Sequence, residues 1–131
     1  ANPVSIHAAI EILAEVPGKT CLVLGDMAEL GVHAPSLHRE AGAYAAEQSI
    51  DQLIAVGARA PDYLVGFATH KSPDQKGLSC NFFDEIARYI RDELKDATVL
   101  IKGSRGSQME RVITSLKSLD KERCNSVEEQ Y

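Results

Sequence analysis

Twice in this sequence a compact apolar run stops at a glycine turn. Thr20-Cys-Leu-Val-Leu24 runs into Gly25-Asp-Met27, and Thr98-Val-Leu-Ile101 runs into Lys102-Gly-Ser-Arg-Gly106. Runs this short, rich in β-branched residues and without polar alternation, fit strands covered on both faces, as in a parallel sheet. Parallel neighbours are joined by long crossovers, usually helices. Helical patterns fill the intervals. Ile6, Ala9, Ile10 and Leu13 share one face over residues 5–16, and Pro17-Gly18 ends that helix. A second helix is expected over about 35–48, with Leu37, Ala41, Tyr44 and Ala45 inward, and a short third over 61–67, with Tyr63, Leu64 and Phe67 inward. Two more are marked by Phe83, Ile86, Ala87, Ile90 and Leu94, and by Met109, Val112, Ile113 and Leu116. Strands are expected at 20–24, 52–56, 78–82 and 98–101, with a polar loop over 70–77.

Strands alternating with helices predict an α/β fold: a three-layer Rossmann-like domain with a mostly parallel sheet flanked by helices. The domain spans residues 1–119. Residues 120–131 carry no apolar period and are expected to form a loose tail. A chain of 131 residues can bury such a core without disulfides or metals.

Net charge is −5, which argues against a nucleic-acid or anionic-membrane surface. There is no tryptophan, and aromatic residues are 5%, too few for a base-stacking platform. Cys21, Cys80 and Cys124 are odd in number and widely spaced, and no Cys/His spacing resembles a metal site. No apolar run is long enough to span a membrane and no signal sequence is visible. A cytoplasmic protein is the expectation.

In open α/β sheets ligands gather at the carboxyl ends of strands. The turn after residue 101 reads as the start of a helix carrying two cations, where free N–H groups and the dipole suit a carboxylate or phosphate. Lys102, Arg105 and the amides of Ser104, Arg105 and Gly106 would hold such an anion; otherwise the segment is a tight turn with solvated cations. Asp26 and Glu29 follow the first run. They could face an ammonium group, or Asp26 could cap its own turn. Glu110 is placed to pair with Arg105 or Arg111 on the helix surface. His38-Arg39-Glu40 reads as a solvated helix face, with His38 structural rather than catalytic. There is no G-x-G-x-x-G and no G-x-x-x-x-G-K-[ST], so no independent nucleotide loop. On residues alone, a free-standing module binding a small carboxylated or phosphorylated ligand stays open.

Three segments match one known pattern. They are Ala1-Asn-Pro-Val-Ser5; Leu24-Gly-Asp-Met-Ala-Glu-Leu-Gly31 with Leu37-His-Arg-Glu-Ala-Gly42; and Lys102-Gly-Ser-Arg-Gly-Ser-Gln-Met-Glu110. Together they resemble the C-terminal domain of the Mur ligases of peptidoglycan synthesis, in the branch that adds D-Ala-D-Ala to UDP-MurNAc-tripeptide. The resemblance implies a three-domain ATP-dependent peptide ligase acting through an acyl phosphate. It places ATP and Mg2+ mainly in a central domain and the UDP-sugar in an N-terminal one. This domain closes over both and helps present D-Ala-D-Ala, so the partners implied are the two substrates and the other two domains. Lys102, Ser104, Arg105, Gly106, Asp26 and Glu29 then become substrate-binding candidates. Asn2 belongs to a motif near the nucleotide and the domain seam, though it also suits a helix cap. The sequence starts inside a Y-N-A-N-P-x-S-type motif, so the expectation is one domain, inactive alone, with its sheet one strand short and apolar surface exposed there unless something else covers it.

Overall fold

The computed structural model describes residues 2–119 and 126–130, with the side chains of all of these except Arg105 and residues 126–130. Asn2 starts the first helix, α1 (Pro3–Ala14), through a reciprocal cap: its side chain accepts the Ser5 N–H at 2.8 Å, and Ser5 Oγ accepts the Asn2 N–H at 3.1 Å. The strands are β1 (Thr20–Leu24), β2 (Gln52–Ala55), β3 (Lys76–Ser79), β4 (Thr98–Lys102) and β5 (Ser126–Gln130). They form one parallel sheet in the order β3-β2-β1-β4-β5. The remaining helices are α2 (Ala34–Glu47), α3 (Ala60–His70), α4 (Phe83–Glu93) and α5 (Glu110–Leu119).

Alternation along the central strands divides the core into two layers. Leu22, Leu24 and Leu100 pack with α1, α2 and α3, while Cys21, Val23, Val99 and Ile101 pack with α4 and α5. Burial of both faces explains why β1 and β4 read as unbroken apolar runs. The first layer depends on a close helix crossing. Gly42 of α2 lies against the Tyr63 carbonyl oxygen and Gly66 of α3 against the Arg39 carbonyl oxygen, with no room for a Cβ at either place.

The expected α/β class and three layers hold, and four local readings change. β3 lies at 76–79 rather than 78–82. Paired on one side only, it needs no apolar cover, so Lys76, Gly77 and Ser79 are exposed while Phe82, expected in the strand, is 63% exposed beyond it. Helix α3 continues three residues past Phe67, to His70. Part of the expected loose tail is strand β5, in register with β4; residues 120–125 and 131 lie outside the described residues. Helix α1, expected over 5–16, runs instead from Pro3 to Ala14, and no exposed large apolar side chain among the described residues belongs to a strand.

Candidate functional site

From β1 the chain winds through α2 and α3 on one face to build β2 and β3. It then returns through α4 and α5 on the other face to build β4 and β5. The winding reverses between β1 and β4, so the connections diverge there and leave a crevice at the carboxyl ends of the two strands. The two glycine turns meet in that crevice.

Their approach requires glycine on both sides. A Cβ on Gly25 would lie 2.8 Å from Met109 Cγ, and one on Gly103 would lie 2.7 Å from the same atom and 3.2 Å from Gly25 Cα. Gly25 N–H donates to the Lys102 carbonyl at 2.8 Å, and Ser104 N–H donates to the Asp26 carbonyl at 3.0 Å. Lys102, Ser104 and Asp26 are thus brought together. Lys102 ends β4 with only 5% of its surface exposed, and burial lowers its pKa. Its ammonium has no hydrogen bond or ion pair among the described residues.

The expected helix start at this turn is displaced. Arg105–Ser107 is a short 3-10 turn, Gln108 follows with φ 54°, and α5 begins only at Glu110. Lys102 and Arg105 are therefore not on the first turn of α5, which opens with an acid instead. The positive end of its dipole does not reinforce them. Ser104 is nearly buried and its N–H is taken by Asp26, so that amide is not free for a ligand, as the sequence reading required. Gly106 is exposed, and its N–H meets no backbone acceptor among the described residues.

Asp26 does not cap its own turn. Its carboxylate accepts the N–H groups of Ala58 and Arg59 at 3.1 and 2.9 Å, just ahead of α3 and more than thirty residues away. Glu29 is exposed, in the left-handed region at φ 61°. Asn2 is occupied as the cap of α1 and makes no described contact with this group of residues. Of the two partners expected for Glu110, Arg111 instead donates to Gln108 Oε1 at 3.3 Å and lies over the Phe83 ring, 4.7 Å from its centroid, while the Arg105 side chain lies outside the described residues. Nearby, between α4 and α5, Phe82, Asp84, Arg111 and Ser115 help line an open groove of about 440 Å³.

Sequence reasoning missed two supports of the rim. His38, read as part of a solvated face, is wholly buried and accepts the Met27 N–H through Nε2 at 3.0 Å, whereas Arg39 and Glu40 are exposed. Tyr63 donates its hydroxyl to the Gly25 carbonyl at 2.8 Å, and burial, then Asp26, raises its pKa. The signal for His38 was its spacing: it stands three residues before Ala41 and seven before Ala45, on the buried stripe of α2.

The family described as Mur ligase, glutamate ligase domain, matches residues 1–125. This chain belongs to that family. Among Mur ligases it is 36% identical over 121 residues to the UDP-N-acetylmuramoyl-tripeptide–D-alanyl-D-alanine ligase of Escherichia coli, a match covering 88% of this chain and 25% of that protein. It is 30% identical over 118 residues to the ligase of the same name from Bacillus subtilis, covering 88% of this chain and 26% of the other. Its structure is similar to MurF from Acinetobacter baumannii, with a TM-score of 0.76 and 30% identity over 90% of this chain and 26% of that one. It is also similar to MurF ligase from Thermotoga maritima in complex with ADP, with a TM-score of 0.75 and 27% identity over 95% of this chain and 27% of that one. The chain therefore spans about a quarter of the length of the relatives it matches. Among the described residues, no three His, Cys, Asp or Glu side chains converge on a point that could hold a metal ion.

Proposed function

We propose that this chain acts as the C-terminal, substrate-closing domain of the ligase that adds D-Ala-D-Ala to UDP-MurNAc-tripeptide. The observation that supports it most is the likeness, along nearly the whole chain, to ligases of that name. In the proposed reaction ATP phosphorylates the tripeptide carboxylate, giving an acyl phosphate and ADP. The amine of D-Ala-D-Ala attacks the acyl carbon, the C–O bond to phosphate breaks, and the amine loses a proton as the amide forms. Chemistry of this kind depends on positioning and on prearranged charge.

Within that reaction the rim between β1 and β4 holds the incoming dipeptide. Lys102, Arg105 and the Gly106 amide attract its carboxylate, with the Ser104 hydroxyl alongside, and Glu29 attracts its ammonium group. Asp26 contributes through the shape of the turn, because its carboxylate is already engaged. Asn2 fixes the start of α1 at the seam with the nucleotide-binding domain. ATP and Mg2+ are held mainly by the central domain and UDP-MurNAc-tripeptide by the N-terminal one. The setting is the cytoplasm, where these substrates are made; no described helix is long and apolar enough to cross a membrane. The test is turnover by the full-length protein. Phosphate release that requires ATP, UDP-MurNAc-tripeptide and D-Ala-D-Ala together supports the proposal, as does no turnover by residues 1–131 alone. Full-length protein that prefers another amino acid or dipeptide overturns it.

A further inference from the structure

His38 has no exposed surface and two definite partners. Nδ1 lies 2.6 Å from the Ala34 carbonyl oxygen, and Nε2 lies 3.0 Å from the Met27 nitrogen. A carbonyl must receive a proton and a backbone N–H must give one. Only the neutral ring protonated at Nδ1 satisfies both. Tyr63 meets this ring edge-on, with centroids 4.8 Å apart, and bonds Gly25 on the other side of Asp26. The two rings therefore grip the turn before and after Asp26. Beyond that grip the chain is exposed at Ala28 and Glu29, with Glu29 left-handed.

We propose that His38 is a positioning residue for the dipeptide site, holding the turn that begins at Gly25 in its binding geometry as the neutral Nδ1–H tautomer. The assignment of a dipeptide to this rim rests on the function proposed above. Without the ring, the Met27 N–H would lose its acceptor inside the core. Of the charged groups nearby, Asp26, Arg39, Arg59 and Asp62 are engaged elsewhere. Asp26 accepts the Ala58 and Arg59 amides, and Arg39 and Arg59 both pair with Asp62, at 3.7 and 3.2 Å. None of them bonds to either ring nitrogen.

The test combines nitrogen NMR on this chain with kinetics on the full-length ligase. The imidazole shifts should show Nδ1–H, and the Met27 amide should exchange slowly. His38→Ala should lose that protection. His38→Gln, whose Oε1 can reach the place of Nε2, should retain it. In the ligase, His38→Ala should raise KM for D-Ala-D-Ala about tenfold, the scale of one lost buried hydrogen bond, while KM for ATP stays unchanged. His38→Gln should restore it. An Nε2–H tautomer, equal Met27 protection in His38→Ala, or a parallel rise in both KM values would overturn the proposal. Wild-type ligase that ignores D-Ala-D-Ala overturns the functional reading instead, whatever the tautomer. If it uses D-Ala-D-Ala and His38→Ala leaves that KM unchanged, the positioning role alone falls.

Discussion

Ser104 donates its backbone N–H to the carbonyl of Asp26 at 3.0 Å, tying the turn after β4 to the turn after β1. Asp26 extends the tie through its carboxylate to Ala58 and Arg59, after β2. Three of the five strands are therefore linked at their carboxyl ends through one residue.

Asp26→Ala removes a charged acceptor shared by two backbone N–H groups, and should destabilise the chain by about 1.5–3 kcal/mol. Urea unfolding of the two proteins measures this directly. Unchanged stability, combined with loss of dipeptide use in the full-length ligase, would move Asp26 from a structural role to a ligand contact.

Gly42→Ala and Gly66→Ala set two principles against each other. Helix propensity alone favours alanine by about 0.5–1 kcal/mol. At these positions the added methyl meets a backbone carbonyl of the facing helix, which cannot rotate away. Overpacking should win, at a cost of about 1–3 kcal/mol or more for each variant. A rise in the denaturation midpoint of either would show that α2 and α3 separate without penalty.

Alkaline pH should unfold the chain through two buried acids. Burial raises the Cys21 thiol above its ordinary value of 9.0 and the Tyr63 phenol above 10.0. Below those values both groups keep their protons in either state. Above them the unfolded chain ionises first, so it binds fewer protons and stability falls as pH rises. Lys102 has the opposite sign. Its lowered pKa means that the penalty of holding its charge in the fold fades as pH climbs toward 10.5. Two groups outweigh one, and the urea midpoint should drop above about pH 9. Cys21→Ala should flatten the first part of that drop while lowering the midpoint near neutrality. An unchanged slope would mean that the thiol ionises inside the fold.

Arg105→Ala in the full-length ligase should raise KM for D-Ala-D-Ala by about 1.5–3 kcal/mol in apparent binding, the scale of a charged hydrogen bond, with little change for ATP. Loss of ATP affinity alone would place Arg105 on the phosphate side of the reaction.

The sequence revealed what its local patterns could carry. Thr20–Leu24 was found to the residue because a strand buried on both faces has nowhere for a polar side chain. β3 was misplaced because an exposed edge built from Lys76-Gly-Leu-Ser79 has no such signature. The capping choice at Asn2 was legible among its alternatives, since the cap and the N–H it accepts are three residues apart. The Asp26 contact with Ala58 was not, because a short-range reading cannot tell which distant turn a carboxylate will meet. His38 was read as structural, as it is, but its burial was missed for a related reason. Its charged neighbours Arg39 and Glu40 suggested water, while the turn it holds arrives from eleven residues upstream.

The linkage through Asp26 also affects when order is acquired. A rim made of three independent loops would lose conformational freedom on meeting its ligand, at about 1–2 kcal/mol per residue fixed. Here the backbone of residues 25–27 is held by Lys102, Tyr63, His38 and Ser104 before any ligand arrives. That entropy is lost during folding, so if the rim binds the dipeptide as proposed, its affinity should depend little on loop ordering.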